Sequence, residues 1–262
     1  MSSLPRIHPL MFFVLIVALL FACSYMGSWI RDRNAERAAL HSSTFKTLEG
    51  ALLALLGLLL GFTFSMAVSR YNDRKQGEVA EANAIASVWN RTATLQEPAR
   101  TKEQELLRTY TQVRLGFLNA GTSQQRIYDD LAETTRLQSR IWSIAAADAE
   151  QHRDPVSAAY LASLDEAFAT VERRTAAYEN RIPLTAWALL LFIGAVSSGL
   201  VGVGIHRRSR LVRLLLPLVV AAAFAQTLDL DSPRAGLVKL KQRSMDRVAA
   251  QIAGPLPEPS VR

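Results

Sequence analysis

Long apolar blocks alternate with polar, charge-rich segments along this chain. A helix of about 20 apolar residues spans the hydrocarbon core of a bilayer, and the first three blocks are long enough to do so. The fourth is shorter, but Arg213 at its start can extend its charged group to the membrane surface. The pattern predicts a polytopic membrane protein with four transmembrane helices. Apart from Glu49 the blocks carry no charge, and they cover approximately residues 9–30, 48–68, 183–205 and 214–228.

The region between the second and third blocks has helical periodicity. Apolar positions recur at alternating steps of three and four, as in helices that pack along a seam. Pro98, Gly121 and Pro155 separate the periodic segments, which indicates breaks between helices. No proline occurs from Val68 to Trp89, so the second membrane helix is predicted to continue out of the bilayer. The clearest seam consists of Leu161, Leu164, Phe168, Val171, Thr175 and Tyr178.

These elements predict an all-α fold with a helical bundle inserted between the second and third transmembrane helices. The predicted parts are a first transmembrane helix with an external loop, a second transmembrane helix, a cytoplasmic bundle, a third and fourth transmembrane helix joined by a short basic loop, and a cytoplasmic tail whose end is disordered. In that order they cover residues 1–47, 48–69, 70–182, 183–229 and 230–262.

The distribution of charge favours a lipid partner. The net charge is +7, but residues 70–182 are nearly neutral, so the excess surrounds the apolar blocks, where Lys and Arg meet lipid headgroups. A nucleic-acid-binding protein would carry the excess on its soluble domain, and no nucleic-acid partner is predicted. Slightly more Lys and Arg flank the bundle side, so we expect both termini and the bundle to be cytoplasmic in a bacterial inner membrane. The very basic segment 207–213 on the opposite side argues against this orientation.

The first block could be a signal peptide that is cleaved, a lipoprotein signal or an uncleaved membrane helix. Arg6 precedes it, as in a signal peptide, and residues 20–23 loosely match a lipoprotein processing box ending at Cys23, although Phe21 fits that box badly. We favour an uncleaved helix. The single cysteine excludes an intramolecular disulfide and a cysteine-based zinc site. Catalytic triads, phosphate-binding glycine loops and paired-histidine motifs are missing from the sequence, so neither an enzyme nor a cofactor or metal site is predicted.

The second block carries the candidate functional residues. Gly57, Gly61 and Ser65 form a small-xxx-small pattern that permits close approach of membrane helices. Leu58 and Phe62 lie on the neighbouring stripe, one turn apart. Repeated around a symmetry axis, such side chains form an apolar constriction that gates by dewetting. The alternative is contact with lipid or with a neighbouring helix.

Each polar residue at the ends of the membrane helices is compatible with two roles. Arg70 is either an anchor at the membrane surface or a charge that concentrates anions at a pore mouth. Asp229 and Asp231 are hard oxygen ligands, but two carboxylates make a poor calcium site. A turn that ends the last membrane helix, with Asp231 paired to Arg234, accounts for them better.

Two motifs resemble known proteins. The segment 59–71, LLGFTFSMAVSRY, resembles the bestrophin signature, in which Leu-Gly-Phe leads along a pore-lining second helix to an arginine followed by aromatic residues. The continuation through 73–85 and the segment 229–236, DLDSPRAG, resemble the bestrophin-like family of bacterial membrane proteins, which has no assigned function. The resemblance covers most of residues 46–250. Its motif residues are Gly61, Glu81, Asn83, Asp229, Asp231, Pro233, Arg234 and Gly236.

The resemblance implies a channel. Bestrophins are homopentameric anion-selective channels whose narrow neck is lined by apolar side chains of the second helix. By position, Leu58, Phe62 and Ser65 would line the pore, Arg70 would lie at its mouth, and further copies of the chain and inorganic ions would be the partners. Ala54 stands where the family has a bulky apolar residue, which puts tight gating in doubt. The acidic calcium clasp of animal bestrophins is absent from the sequence, so calcium activation is not implied.

The alternative function is a membrane-anchored sensory or scaffolding protein whose bundle binds a ligand or a protein. Bundles flanked by membrane helices also occur in bacterial receptors. The tail of this chain is too short for an output domain, so signalling would need a partner.

Overall fold

Helices make up the architecture of the chain. The computed structural model describes residues 9–33, 42–119, 121, 123–204 and 210–254. No strand occurs within these ranges, so the all-α prediction is confirmed. The helices are α1 (Pro9–Arg33), α2 (Ser42–Arg91), α3 (Ala99–Asn119), α4 (Gln124–Gln151), α5 (Pro155–Glu179), α6 (Leu184–Gly204), α7 (Arg210–Asp231) and α8 (Arg243–Ala253), with a 3₁₀ turn at Thr92–Thr94.

Local sequence determines where the bundle helices begin. α5 starts at Pro155, and the Asp154 carboxylate caps it by accepting the Ser157 N–H at 2.7 Å. Gly121, between α3 and α4, has a φ of +58°, a left-handed conformation that glycine adopts without steric cost. α3 begins directly after Pro98. The three predicted helix breaks are therefore confirmed.

The predicted continuation of the second membrane helix is also confirmed, because α2 is one helix of 50 residues. At the other end of the insert, the last bundle helix does not continue into the third membrane helix. α5 ends at Glu179 and α6 begins at Leu184.

The chain divides into two compact units, one within residues 1–71 and 181–239 and the other within residues 72–180 and 240–262. We call the first the apolar unit and the second the bundle. Among the described residues three helices are long and apolar enough to cross a membrane, within Pro9–Arg33, Thr44–Thr94 and Pro155–Gly204. The predicted fourth crossing falls in α7, which is not one of these three.

The apolar unit is held together by close helix packing. α1 and α6 approach so closely that a Cβ on Gly27 would overlap the backbone of Gly199, and a Cβ on Gly202 would overlap the backbone of Ser24. Close approach through small residues is the usual packing mode of helices in lipid. The buried residues of the unit include Phe12, Ile16, Leu20, Leu56, Ala67, Trp187, Leu190, Ile193, Ala221 and Phe224.

The bundle has its own core, formed by the second half of α2 with α3, α4, α5 and α8. α8, from the predicted cytoplasmic tail, contributes Met245, Val248 and Ile252 to it. The other core residues include Ala82, Ile85, Val88, Leu107, Tyr110, Leu137, Ile141, Tyr160, Leu164 and Val171.

Three predicted features lie outside the described residues. They are the disordered end of the tail in residues 255–262, residues 34–41 of the external loop, and residues 205–209 of the basic loop.

Candidate functional site

The predicted pore-lining residues share one open face of α2. Leu58 is 54% exposed and Phe62 is 60% exposed, and Ser65 is exposed as well. A Cβ added at Gly61 would meet no described atom within 4 Å. The opposite face of α2 packs into the apolar unit through Leu56, Thr63 and Ala67. The described part of the chain therefore leaves the candidate face of α2 uncovered.

Arg70 lies at the end of this stretch of α2 and contacts α7. Its guanidinium Nη1 is 3.6 Å from the Asp231 carboxylate, and the two side chains are 15% and 4% exposed. Both carboxylate oxygens of Asp231 also accept the backbone N–H of Ile182, at 3.1 and 3.3 Å. Asp231, at the end of α7, thus connects the middle of α2 with the segment before α6 and balances part of the charge of Arg70.

Asp229 closes the turn that follows α7. Its carboxylate accepts the backbone N–H groups of Leu237 and of Val238, the latter at 3.1 Å, while its carbonyl oxygen accepts the Ser232 N–H at 3.2 Å. A Cβ on Gly236 would lie 2.7 Å from the Asp229 carbonyl oxygen and 2.8 Å from its carboxylate. The motif DLDSPRAG therefore folds back on itself, with Pro233 and Arg234 half-buried in the turn.

The turn geometry favours a structural role for the two carboxylates. Asp229 and Asp231 each accept backbone N–H groups, as expected of groups that terminate a helix. In the part of the chain that the structure describes, no group of three or more His, Cys, Asp or Glu side chains is arranged to hold a metal ion.

Glu81 forms a buried ion-pair cluster inside the bundle. It is fully buried, and so are its partners Arg114 from α3 and Arg174 from α5. Arg114 donates to it through Nε at 2.5 Å and Nη2 at 3.3 Å, and Arg174 donates through Nη1 at 2.5 Å. The motif glutamate therefore makes contacts between helices of the bundle.

Further hydrogen bonds extend this cluster toward α8. Arg174 Nη2 donates to the Gln242 side-chain oxygen at 2.7 Å, and Gln242 Nε2 donates to the Leu115 carbonyl at 2.9 Å. The ring of Phe117 lies 4.8 Å from the guanidinium carbon of Arg114 and 5.6 Å from that of Arg174, within the range of cation–π attraction.

Asn83 does not belong to the cluster. It is exposed on α2 and lines a shallow surface depression together with Asn72, Lys75 and Gln76. Glu81 and Asn83 are two residues apart, about 200° around a helix. Glu81 therefore faces the bundle core, whereas Asn83 faces the outside of the bundle.

Sequence reasoning missed the partners of Glu81 and the role of Glu78. The Glu78 carboxylate accepts the N–H groups of Ser244 at 2.8 Å and Met245 at 2.9 Å, and it thereby caps α8. One signal was present in the sequence. Glu78 and Glu81 continue the helical spacing of the buried Ile85 and Val88, which indicates that these carboxylates face the core.

Fold and sequence together define a class: an all-α protein with helices long and apolar enough to cross a membrane, carrying a separate helical bundle. The family model of the bestrophin-like domain matches residues 12–245, and the chain belongs to the bestrophin-like family. The predicted resemblance is therefore confirmed.

Solved structures share this fold. A bacterial bestrophin homologue from Klebsiella pneumoniae, in a variant with a single substitution, matches with a TM-score of 0.69 and 14% identity over 93% of this chain and 99% of the other. A second variant of that homologue matches with a TM-score of 0.68 and 15% identity over 92% and 97%. A comparison with curated protein sequences gives no match.

Proposed function

We propose that this chain is one subunit of a passive, anion-selective ion channel, a homo-oligomer in a bacterial inner membrane with the first half of α2 lining the pore. The observation that carries the proposal is the open face of α2. Leu58, Phe62 and Ser65 share it, while the opposite face of the same helix is packed into the apolar unit. Membership of the bestrophin-like family supports the proposal.

Copies of α2 around an axis would produce the conduit. Leu58 and Phe62 would form successive apolar rings, which exclude water from a narrow pore until it widens. The small residues Gly57 and Gly61, with open space at their Cβ positions, would let helices of neighbouring subunits approach closely. The number of copies proposed is five, by analogy with bestrophins.

Arg70 would supply the preference for anions. It lies about one and a half turns beyond Ser65 on α2, and its positive charge is balanced in part by Asp231. A partly balanced arginine attracts anions without holding them tightly, which suits a passive pore.

The remaining features of the topology belong to the same proposal. α7 would be the fourth crossing, which places the two termini and the bundle on one side of the membrane. We assign that side to the cytoplasm because a short basic segment precedes the first crossing.

Ion flux into liposomes tests the function. Purified protein, first shown by mass measurement to be an oligomer, is reconstituted, and the entry of chloride and of potassium is followed separately. The expected result is chloride entry well above that of protein-free liposomes, with slower potassium entry. An oligomeric preparation that passes neither ion would contradict the proposal, and faster potassium entry would contradict its anion selectivity.

A further inference from the structure

The bundle contains a buried carboxyl group that forms no salt bridge with any described cationic side chain. Glu103 on α3 is fully buried, and among the described residues no Lys, Arg or His forms a salt bridge with it. The Tyr160 hydroxyl on α5 donates to its Oε2 at 3.2 Å, whereas Oε1 is buried without a hydrogen-bond partner. An ionised carboxylate in this place would hold a charge away from water with only the Tyr160 hydroxyl and the Ala145 backbone to stabilise it, which is costly.

The groups that face Glu103 also disfavour its negative charge. Asp148 of α4 is nearly buried, and its carboxylate repels that of Glu103. His152, directly after the end of α4, lies 3.4 Å from the Asp148 carboxylate through Nδ1 and is 39% exposed. On α3 itself the neighbouring Gln104 is neutral and donates to Thr92 at 2.8 Å.

These surroundings change the acidity of the group. Burial raises the pKa of Glu103 to about 8, from an ordinary value of 4.5. Hydrogen bonds from the Tyr160 hydroxyl and the Ala145 backbone oppose the rise, and the charge of Asp148 adds to it. At neutral pH the neutral acid therefore predominates. In the neutral acid one carboxyl oxygen carries a hydroxyl that can donate, and the other oxygen still accepts hydrogen bonds.

We propose that Glu103 is a proton-binding site of the bundle and that loss of its proton loosens the packing of α3, α4 and α5. This inference goes beyond the channel and does not depend on it. When the proton leaves, the carboxylates of Glu103 and Asp148 repel each other inside the bundle. The Tyr160 hydroxyl is then the one side-chain donor to Glu103 among the described residues. Because the pKa of Glu103 is higher in the folded chain than in the unfolded one, the stability that the neutral acid provides is complete below about pH 4.5. It is lost as the pH rises through about 8.

Infrared difference spectroscopy on the full-length protein tests the site. Spectra recorded from pH 6 to pH 10 should contain the carbonyl band of a protonated carboxylic acid that disappears with a midpoint near pH 8. Glu103→Gln should remove this band. Glu105→Gln, at an exposed position two residues away, is the matched control and should retain it. Absence of the band in the unsubstituted protein, or its persistence in Glu103→Gln, would overturn the proposal.

Two neighbouring substitutions test the site without altering Glu103. Tyr160→Phe removes the hydrogen bond that favours the ionised form, so the midpoint should rise. Asp148→Asn removes the repelling charge, so the midpoint should fall. Shifts in the same direction, or no shift in either variant, would contradict the assignment even if Glu103→Gln does not fold.

The loosening itself is measured by unfolding at several pH values. A single linked proton changes the unfolding equilibrium constant about tenfold per pH unit between the two pKa values. The unsubstituted protein should therefore become less stable from pH 6 to pH 8 by about this factor per unit, more steeply than Glu103→Gln. Equal pH dependence in both proteins would show that the proton is not coupled to packing.

Discussion

Gly236, in the turn after α7, has no room for a side chain. An added Cβ would lie within 3.0 Å of two carbonyl oxygens, those of Asp229 and Ser232, and neither belongs to a flexible side chain. The hydrogen bonds from Leu237 and Val238 to Asp229 hold these groups in place. The turn therefore cannot relax without losing contacts.

Gly236→Ala is expected to destabilise the protein by about 1–3 kcal/mol, the usual range for overpacking and strain. The measurement is thermal unfolding of the protein in detergent. Gly116→Ala is the matched control, because a Cβ there meets no described atom within 4 Å and alanine favours the α3 helix by up to about 1 kcal/mol. Equal melting temperatures for the Gly236 variant and the unsubstituted protein would contradict this account of the turn.

The motif residues could be identified from the sequence, but not all of their contacts could be predicted. The pattern DLDSPRAG indicated a turn after the last membrane helix, and Asp229 and Gly236 form one. The pairing of Asp231 with Arg70 was not anticipated, because Arg234 is nearer in sequence. A single sequence contains no local pattern from which a contact between residues on different helices can be predicted.

Among the elements, the Glu81 cluster links three helices of the bundle through charged groups that are completely buried. A buried ion pair contributes little net stability, but removal of one partner leaves the other charge uncompensated. Two arginines depend on this one carboxylate, so its loss affects α2, α3 and α5 together.

Glu81→Gln is expected to cost about 3–5 kcal/mol of unfolding free energy, as removal of one buried partner usually does. The surface pair of Glu166 with Arg173, whose side chains are 63% and 60% exposed, provides the control. Glu166→Gln should change stability by less than about 1 kcal/mol. Denaturant unfolding of the two variants measures both values, and equal effects would show that the buried cluster has no special role.

The helix boundaries could be predicted because proline, glycine and uncharged runs act locally. The packing register could not be predicted as well. In α5 the predicted positions Leu164, Val171 and Tyr178 are buried, and Leu161 and Phe168 are partly buried against the core. Tyr160, Ala167 and Arg174 are also buried, which the predicted seam did not include. The buried face is wider than the predicted seam, and it includes Arg174, which the periodicity of apolar residues alone assigns to the surface.

For the whole molecule, the structure changes the charge argument for orientation. Arg74 and Arg174 follow the second apolar block and precede the third, on the bundle side of the sequence, yet they are 1% and 0% exposed. Buried guanidinium groups cannot contact lipid headgroups. The surface excess of Lys and Arg on that side is therefore smaller than the sequence indicated, and the cytoplasmic assignment depends on the N-terminal segment and on an even number of crossings.

In the proposed assembly, copies of α2 surround an aqueous pathway and Phe62 is directed into it. Phe62 and Phe64 are both exposed on α2, but two residues along a helix separate them by about 200°. They therefore form a matched pair in which only Phe62 lies on the proposed pore face.

The most direct test is block of ion flux by thiol modification. Phe62→Cys and Phe64→Cys are each made with Cys23, the only native cysteine, replaced by serine, and chloride flux into liposomes is measured before and after a membrane-impermeant thiol reagent. We predict that the reagent stops most of the flux through the Phe62 variant and leaves that through the Phe64 variant unchanged. Flux that continues unaltered through the Phe62 variant, or equal block of both, would contradict a pore lined by α2.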